Sequence, residues 1–484
     1  MNIKFFLPSI GLCINGHLNS LSYVTSVTAL SPEEIAYSAK RVEYAQAAWE
    51  KKITNPIGRV PKIAVCISGG GLRAMIGGLG FLQAFSQDGL LDLTSYLCGL
   101  SGSTWAISGW LQSHKALSDY ITFLKPGLNA GLLGNVDVDS IIKELFKKFE
   151  NGQSISLDDI WGSLIAQKVL DYPAMHDLTQ IRIDTYCPMP ADSSLPLPIY
   201  NCVTPLDSMT DTCYRWVEWT PFDVRCPFLK TAIPVSYLGS TFNKGSVTLA
   251  TEPLSLSLCQ GIWGSVISAD IQDVIGALIS NASGYEQIIL DMIQQSLQTD
   301  VVLNDLTSVR ALPAQLPNWN YKIVDAVLPE KESLTFVDCG MLCNLPLPPA
   351  LDPLRKIDII IVVDLTMETD TASQLECMQA YALANGLPFP HINTKILNNV
   401  CSVHPGDPGS GTPTIIYFPL VSNQNYQNGW DPLTAGFTNT FNIQYTPQQV
   451  DQMSGLMYAA CAQNSDTIWS VIKSYMSIPS LTVN

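Results

Sequence analysis

Three features of the chain predict an α/β fold: a strand that breaks into three glycines before a helix, a second strand that breaks into Gly-Leu-Ser-Gly-Ser before another helix, and the apolar, β-branched run Ile357–Leu365. In chain order, Ser31-Pro32-Glu33-Glu34 opens the first helix, with Ser as N-cap, Pro at the first helical position and Glu placed for a capping box. This helix is expected to run to about Lys52 and to end before Pro56. Lys62–Ile67 reads as a buried strand leading into Gly69-Gly70-Gly71, and a helical run begins near Leu72. Ser95–Leu100 is the second strand, and Thr104–Leu117, carrying Trp105 and Trp110, the helix after it. The stretch from about 120 to 330 shows little regular periodicity. Strand patterns return at Thr335–Asp338, Ile357–Leu365 and Thr414–Phe418, and Thr446–Met476 reads as a C-terminal helix. Pro188–Pro198 and His404–Pro413 have the composition of surface loops.

The composition narrows the class. The chain has 484 residues and a net charge of −16, and a pI near 4.6 with no basic run excludes nucleic acid as a partner. Only 14% of residues are charged while 47% are apolar, which excludes a disordered chain and allows a large core. No run approaches the roughly 18 apolar residues of a membrane span. Residues 1–30 read as a leader. Lys4 and the apolar stretch Phe5–Ile14 give it some likeness to a secretory signal, with Val27-Thr28-Ala29 as the cleavage site, but Pro8 and the polar residues before Ala29 count against that. The thirteen cysteines are scattered and odd in number, with Cys339 and Cys343 the one close pair, and read as reduced, buried thiols. The five histidines form no metal-ligand spacing, so neither a metal nor another cofactor is expected.

Two motifs carry chemistry. Gly69-Gly70-Gly71 places backbone amides at a helix N-terminus, where they can hold an anion or a developing oxyanion. It lacks the Gly-Lys-Ser/Thr of a P-loop and the spacing of a dinucleotide-binding loop. Gly99-Leu100-Ser101-Gly102-Ser103 resembles a nucleophile elbow with Ser in its last position, which would present the Ser101 hydroxyl at the end of a strand. Two activators of Ser101 fit the order of the chain. One is a His–Asp pair, Asp338 with His391 or His404; the other is Asp338 acting directly from its strand-end loop.

Ser68-Gly69-Gly70-Gly71-Leu72-Arg73-Ala74-Met75, Gly-Leu-Ser-Gly-Ser-Thr-Trp at 99–105 and Val337-Asp338-Cys339-Gly340, taken together, resemble the catalytic domain of cytosolic (group IV) phospholipase A2 and fungal lysophospholipases. Trp216–Pro221, Gly261–Ser265, Gly386–Pro390 and Thr440–Tyr445 are similar to family stretches in the same order, so the resemblance covers roughly 31 to 475. It implies a three-layer α/β/α catalytic domain over 31–480 with a central mixed sheet and cap insertions within about 120–330. It also implies a serine acyl hydrolase acting on glycerophospholipids or lysophospholipids through an acyl-serine. In that scheme Ser101 is the nucleophile, Asp338 the base, the Gly70 and Gly71 amides the oxyanion hole, and Arg73 a ligand of the substrate phosphate or a support of the site. The expected partners are a lipid substrate and a phospholipid membrane surface, touched peripherally from the cytoplasm through apolar and aromatic contacts; the ten tryptophans suggest themselves for that contact. The short leader has no room for a C2 domain, so calcium-triggered docking is not expected. The alternatives are a His-triad carboxylesterase and a catalytically silent lipid-binding protein of the same fold.

Overall fold

The computed structural model describes residues 24–52, 59–153, 155–171, 178–186, 189–205, 214–267, 310–311, 314–367 and 372–476. The strands of the central sheet are β1 (Thr25–Ser26), β2 (Ile63–Ile67), β3 (Thr94–Leu100), β4 (Leu197–Pro205), β5 (Tyr214–Trp219), β6 (Asp223–Cys226), β7 (Thr231–Pro234), β8 (Ile359–Asp364), β9 (Ser402–His404) and β10 (Thr414–Pro419). They lie in the order β1-β7-β6-β5-β4-β3-β2-β8-β10-β9. The five strands from β4 to β10 across the middle are parallel, whereas β5, β6, β7 and β1 on one wing and β9 on the other edge pair antiparallel.

Alternation along the buried strands divides the core between two faces. Ile63, Val65 and Ile67 of β2 and Ile359, Ile361 and Val363 of β8 point to one face; Ala64, Cys66, Ile360 and Val362 point to the other. The first face is covered by helices α2 (Gly71–Gln87), α3 (Gly102–Ser113), α4 (Leu117–Ala130), α6 (Leu157–Val169) and α7 (Leu256–Trp263), and by α9 (Pro447–Gln463), with α5 (Val138–Glu150) packed on α6. The second face is covered by the segment Leu345–Leu351 and by α8 (Ala372–Ala384). This is the expected three-layer α/β/α arrangement around a mixed sheet.

Most elements fall where the sequence places them, and the exceptions have physical causes. Helix α1 (Pro32–Lys52) begins with the Ser31 hydroxyl accepting from the Glu34 amide at 3.3 Å, as anticipated. Glu34 closes no capping box, however, because its carboxylate turns inward to Arg355, which donates from Nε at 2.8 Å and from Nη2 at 3.2 Å. The helix after β3 starts at Gly102 rather than Thr104 and stops at Ser113, where His114 takes a left-handed conformation. The strand expected at Thr335–Asp338 is Ser333–Phe336; Val337 then forms a single bridge with Val203 and Asp338 opens a 3-10 turn. The C-terminal helix is two, α9 with a complete Thr446/Gln449 capping box and α10 (Ser465–Met476), separated at Asn464. Of the presumed leader, residues 1–23 lie outside the described residues, but Thr25 and Ser26 pair with β7 and Val27 with Lys230, so its last part is an edge of the sheet. The range expected to hold cap insertions supplies β4–β7 to the sheet as well.

Nine of the ten tryptophans are buried; Trp430 alone is partly exposed, and it stacks on Phe437. The tryptophans therefore build the core, and the expectation that they meet a lipid interface is corrected for those nine. Among the described residues no helix is long and apolar enough to cross a membrane.

Helices α2 and α9 approach closely because α2 presents glycines to α9. A Cβ at Gly80 would lie 2.0 Å from the Ser454 carbonyl oxygen, a backbone atom that cannot swing aside. Gly80→Ala is expected to destabilise the chain by about 1–3 kcal/mol, the usual cost of overpacking. Gly436→Ala, where a Cβ meets nothing within 4 Å, is the control. Chemical denaturation midpoints of the two variants check this.

Candidate active site

Adjacent parallel strands β2 and β3 end side by side, so the loops after them share one end of the sheet. The first loop is pinned by the Ser68 amide donating to the Val363 carbonyl (3.0 Å), the Ser68 hydroxyl accepting from the Leu365 amide (2.7 Å) and the Gly69 amide donating to the Asn344 carbonyl (3.3 Å). Gly70 and Gly71 have φ of 132° and 60°, conformations that L side chains rarely adopt. Among the described residues neither of their amides has a protein acceptor, and both lie at the start of α2, where the helix dipole favours negative charge.

Arg73, one turn into α2, is 1% exposed. Its Nε donates to the Leu365 carbonyl (2.7 Å), and Nη1 donates to the Thr438 carbonyl (2.7 Å) and the Thr440 hydroxyl (2.9 Å). A Cβ at Gly70 would fall 2.3 Å from Nη2, so the guanidinium lies against the glycine loop. Burial lowers the Arg73 pKa to about 10, which leaves it charged at neutral pH.

The second loop holds Ser101 at φ 50° and ψ −130°, a strained conformation for a non-glycine residue and the one expected of a nucleophile elbow. Ser103 fastens the elbow. Its hydroxyl lies 2.7 Å from the Ile67 carbonyl and 2.8 Å from the Leu100 carbonyl and accepts from the Leu100 amide at 3.0 Å, tying the end of β3 to the end of β2. The Ser101 amide donates to the Trp263 carbonyl at 3.1 Å. Gly102 closes the contact between the loops, since a Cβ there would lie 2.0 Å from the Gly71 carbonyl oxygen.

Asp338 arrives from the third direction, after the Val337–Val203 bridge beside β4. It is 1% exposed, its carboxylate accepts from the Gly340 amide (2.8 Å), and the Ser101 hydroxyl and the Val266 amide face it closely enough to favour its charged form. Its own amide donates to the Ser265 hydroxyl at 2.9 Å. Burial raises the carboxyl to about pKa 6 in spite of these three donors, which act in the opposite direction.

Ser101, Asp338, Gly70, Gly71 and Arg73 are thus brought together at one end of the sheet. The histidines of the triad alternative are elsewhere. His404 pairs with Ile415 near the start of β10, at the opposite end of the parallel strands, and its ring contacts Ser402 and the Asn393 amide; His391 is exposed. Neither is among the groups that act on Asp338. His17 and His176 lie outside the described residues. Among the described residues no group of three His, Cys, Asp or Glu side chains is arranged to hold a metal ion.

Ser103, Ser265 and Asn344 were not singled out by the sequence. Asn344 donates from Nδ2 to the Gly69 carbonyl (3.2 Å) and the Thr366 hydroxyl (2.8 Å). Their only sequence signal is position, in the last place of the elbow, at the end of Gly-Ile-Trp-Gly-Ser, and just after Asp-Cys-Gly.

A family model described as the lysophospholipase catalytic domain matches residues 63–381, a span that contains all of these site residues. The chain belongs to that family. Among curated relatives of this lysophospholipase-family chain are mouse cytosolic phospholipase A2 zeta, 25% identical over 430 residues covering 75% of the chain and 49% of the relative, and human cytosolic phospholipase A2 beta, 25% identical over 448 residues covering 81% and 56%. The chain spans about half the length of the curated relatives it matches. Among solved structures, human GIVD cytosolic phospholipase A2 shares the fold with a TM-score of 0.78 at 19% identity, covering 94% of this chain and 69% of that one.

The contact between the two loops sets the position of the Ser101 hydroxyl. Gly102→Ala is expected to slow fluorophosphonate labelling of Ser101 by about 10²-fold, the order of effect of a 1 Å misplacement. Labelling rates of the folded variant and the parent check this.

Proposed function

We propose that the chain is a serine acyl hydrolase that cleaves fatty-acyl esters of glycerophospholipids or lysophospholipids through a Ser101–Asp338 dyad. The Ser101 hydroxyl, presented by its strained turn and facing the buried Asp338 carboxylate closely enough to favour its charged form, carries this reading. Family membership supports the substrate class.

In the proposed reaction Asp338 accepts the Ser101 proton as Oγ attacks the ester carbonyl, giving a tetrahedral intermediate. The Gly70 and Gly71 amides receive the oxyanion, each donor being worth about 3–4 kcal/mol of transition-state stabilisation. Collapse of the intermediate expels the alkoxide, lysolipid or glycerophospho-alcohol, which takes the proton back from Asp338. Water then gives its proton to Asp338 and attacks the acyl-serine, and the fatty acid leaves as Ser101 is reprotonated. Arg73 serves as a positioning residue for the glycine loop. Its Nε and Nη1 are already committed to the Leu365 and Thr438 carbonyls, which favours support over binding of the substrate phosphate. The reading places the enzyme in the cytoplasm, meeting phospholipid surfaces transiently.

The dyad is tested by Ser101→Ala and Asp338→Asn. Each is expected to lower kcat/KM on a defined phospholipid vesicle by at least about 10³-fold, in line with loss of a nucleophile or its base. Full activity in either variant refutes the proposal, and mass spectrometry of products from mixed-chain lipids identifies the ester cleaved.

The pH profile follows from Asp338. The base must be ionised to accept a proton, so with a carboxyl near pKa 6 activity is lost as pH falls through that value and is full above it. The kcat/KM profile is expected to show a single ascending limb with its midpoint near 6, well above that of an ordinary aspartate.

A further inference from the structure

The turn after Asp338 is latched to helix α8 through sulfur. Cys343 Sγ lies 3.4 Å from Gln374 Oε1 and 3.8 Å from the Gln374 carbonyl, and Cys377 Sγ lies 3.8 Å from the Leu342 carbonyl. Cys343 thus donates to Gln374, one helical turn before Cys377, and Cys377 donates to Leu342, the residue before Cys343, which places the two thiols close together. Cys343 is 4% exposed, whereas Cys377 is half-buried. Neither sulfur has a part in the hydrolysis.

The position of this pair gives it a lever on the site. Cys343 directly precedes Asn344, whose amide donates to Gln374 Oε1 at 2.9 Å and whose side chain holds the Gly69 carbonyl. Asp338 stands five residues upstream on the same turn. A shift of Cys343 toward α8 therefore pulls at once on the turn that carries the base and on the side chain that braces the glycine loop.

We propose that Cys343 and Cys377 are a redox-modification site: a peroxide converts them to a disulfide, and the bridge slows the Ser101 centre until a thiol reductant opens it. The effect on the centre rests on the hydrolase reading above; the bridge itself does not. In the first step the Cys377 sulfur attacks the peroxide, the O–O bond breaks, and sulfenic acid and water form. In the second step Cys343 sulfur attacks the sulfenic sulfur, the S–O bond breaks, and the disulfide and a second water form, so two thiols and one hydrogen peroxide give one disulfide and two waters. The order follows the surroundings. The hydrogen bond with Cys377 and burial push the Cys343 thiol up, which suits it to the resolving role, and Cys377 is the sulfur that oxidant can reach. Closing the bridge brings the two sulfurs to about 2.05 Å, which exchanges both Sγ contacts for a covalent bond and draws the turn toward α8. Cys66 and Cys98 are also neighbours, directly opposite on β2 and β3, but both are fully buried and offer no oxidant a way in.

The experiment uses the full chain with hydrogen peroxide, then non-reducing trypsin digestion, in which cleavage at Arg355 or Lys356 puts the two cysteines on separate peptides. Mass spectrometry is expected to find the Cys343–Cys377 cross-linked pair, and the rate of fluorophosphonate labelling of Ser101 is expected to fall by at least about tenfold, as a shift of the groups that position a reacting centre implies. Dithiothreitol should restore the rate. Cys377→Ser should label at the parent's reduced rate and keep that rate after peroxide. Absence of the cross-linked peptide overturns the proposal. So does a bridge that leaves labelling unchanged, or equal slowing of Cys377→Ser. If Ser101 in the reduced chain does not label at all, the hydrolase reading fails and the slowing with it, while the peptide map still decides whether the bridge forms.

Discussion

The arrangement depends on two peptide backbones meeting with no side chain between them. Gly71 and Gly102 begin the helices that follow adjacent parallel strands, and the Gly71 carbonyl occupies the place a Cβ of residue 102 would take. That contact fixes the distance between the free amides of the glycine loop and the strained Ser101. Ser103 holds it from below by joining the ends of β2 and β3, and Arg73 and Asn344 hold it from the sides. A site built this way owes its geometry to main-chain packing, which is stiff, and little to flexible side chains.

Asp338 shows how the same scaffold tunes chemistry. The Gly340 amide hydrogen-bonds its carboxylate and the Ser101 hydroxyl and Val266 amide face it, an arrangement that favours the charged form, yet removal from solvent outweighs them. In the proposed reaction this suits the carboxylate to take a proton from Ser101 without an imidazole as go-between. A histidine base usually needs an acid to orient it; here Gly340 and Ser265 hold the acid itself.

Much of this was legible in the sequence because the decisive residues are conspicuous in type and order. The two glycine-rich turns, Ser101 and Asp338 could be found by asking which strands end in small residues and which loops carry a carboxylate. Ser103, Ser265 and Asn344 could not, because each acts through one or two hydrogen bonds to backbone, and such hydroxyls and amides are common in any loop. Glu34 misled for the opposite reason. Its position three residues after Ser31 fits a local cap, but a buried arginine 321 residues away is a stronger partner than a helix end. The tryptophans illustrate a limit of composition, which counts aromatic residues without saying whether they face water or core.

The pairing of Glu34 with Arg355 belongs to a buried chain of charges. Arg355 also donates to Glu218 at 2.7 Å, and Arg225 stands 3.7 Å from Glu218 and donates to Asp352 at 2.5 Å. Its consequence lies in the order of biosynthesis. Helix α1 leaves the ribosome before Arg355 does, and its fully enclosed carboxylate gains its two guanidinium hydrogen bonds only once the chain has grown past residue 355. Docking α1 before then would bury that carboxylate without those bonds, which is unfavourable. The network is thus a clasp that can close only after long synthesis, joining helix α1 to a residue 321 positions further along the chain.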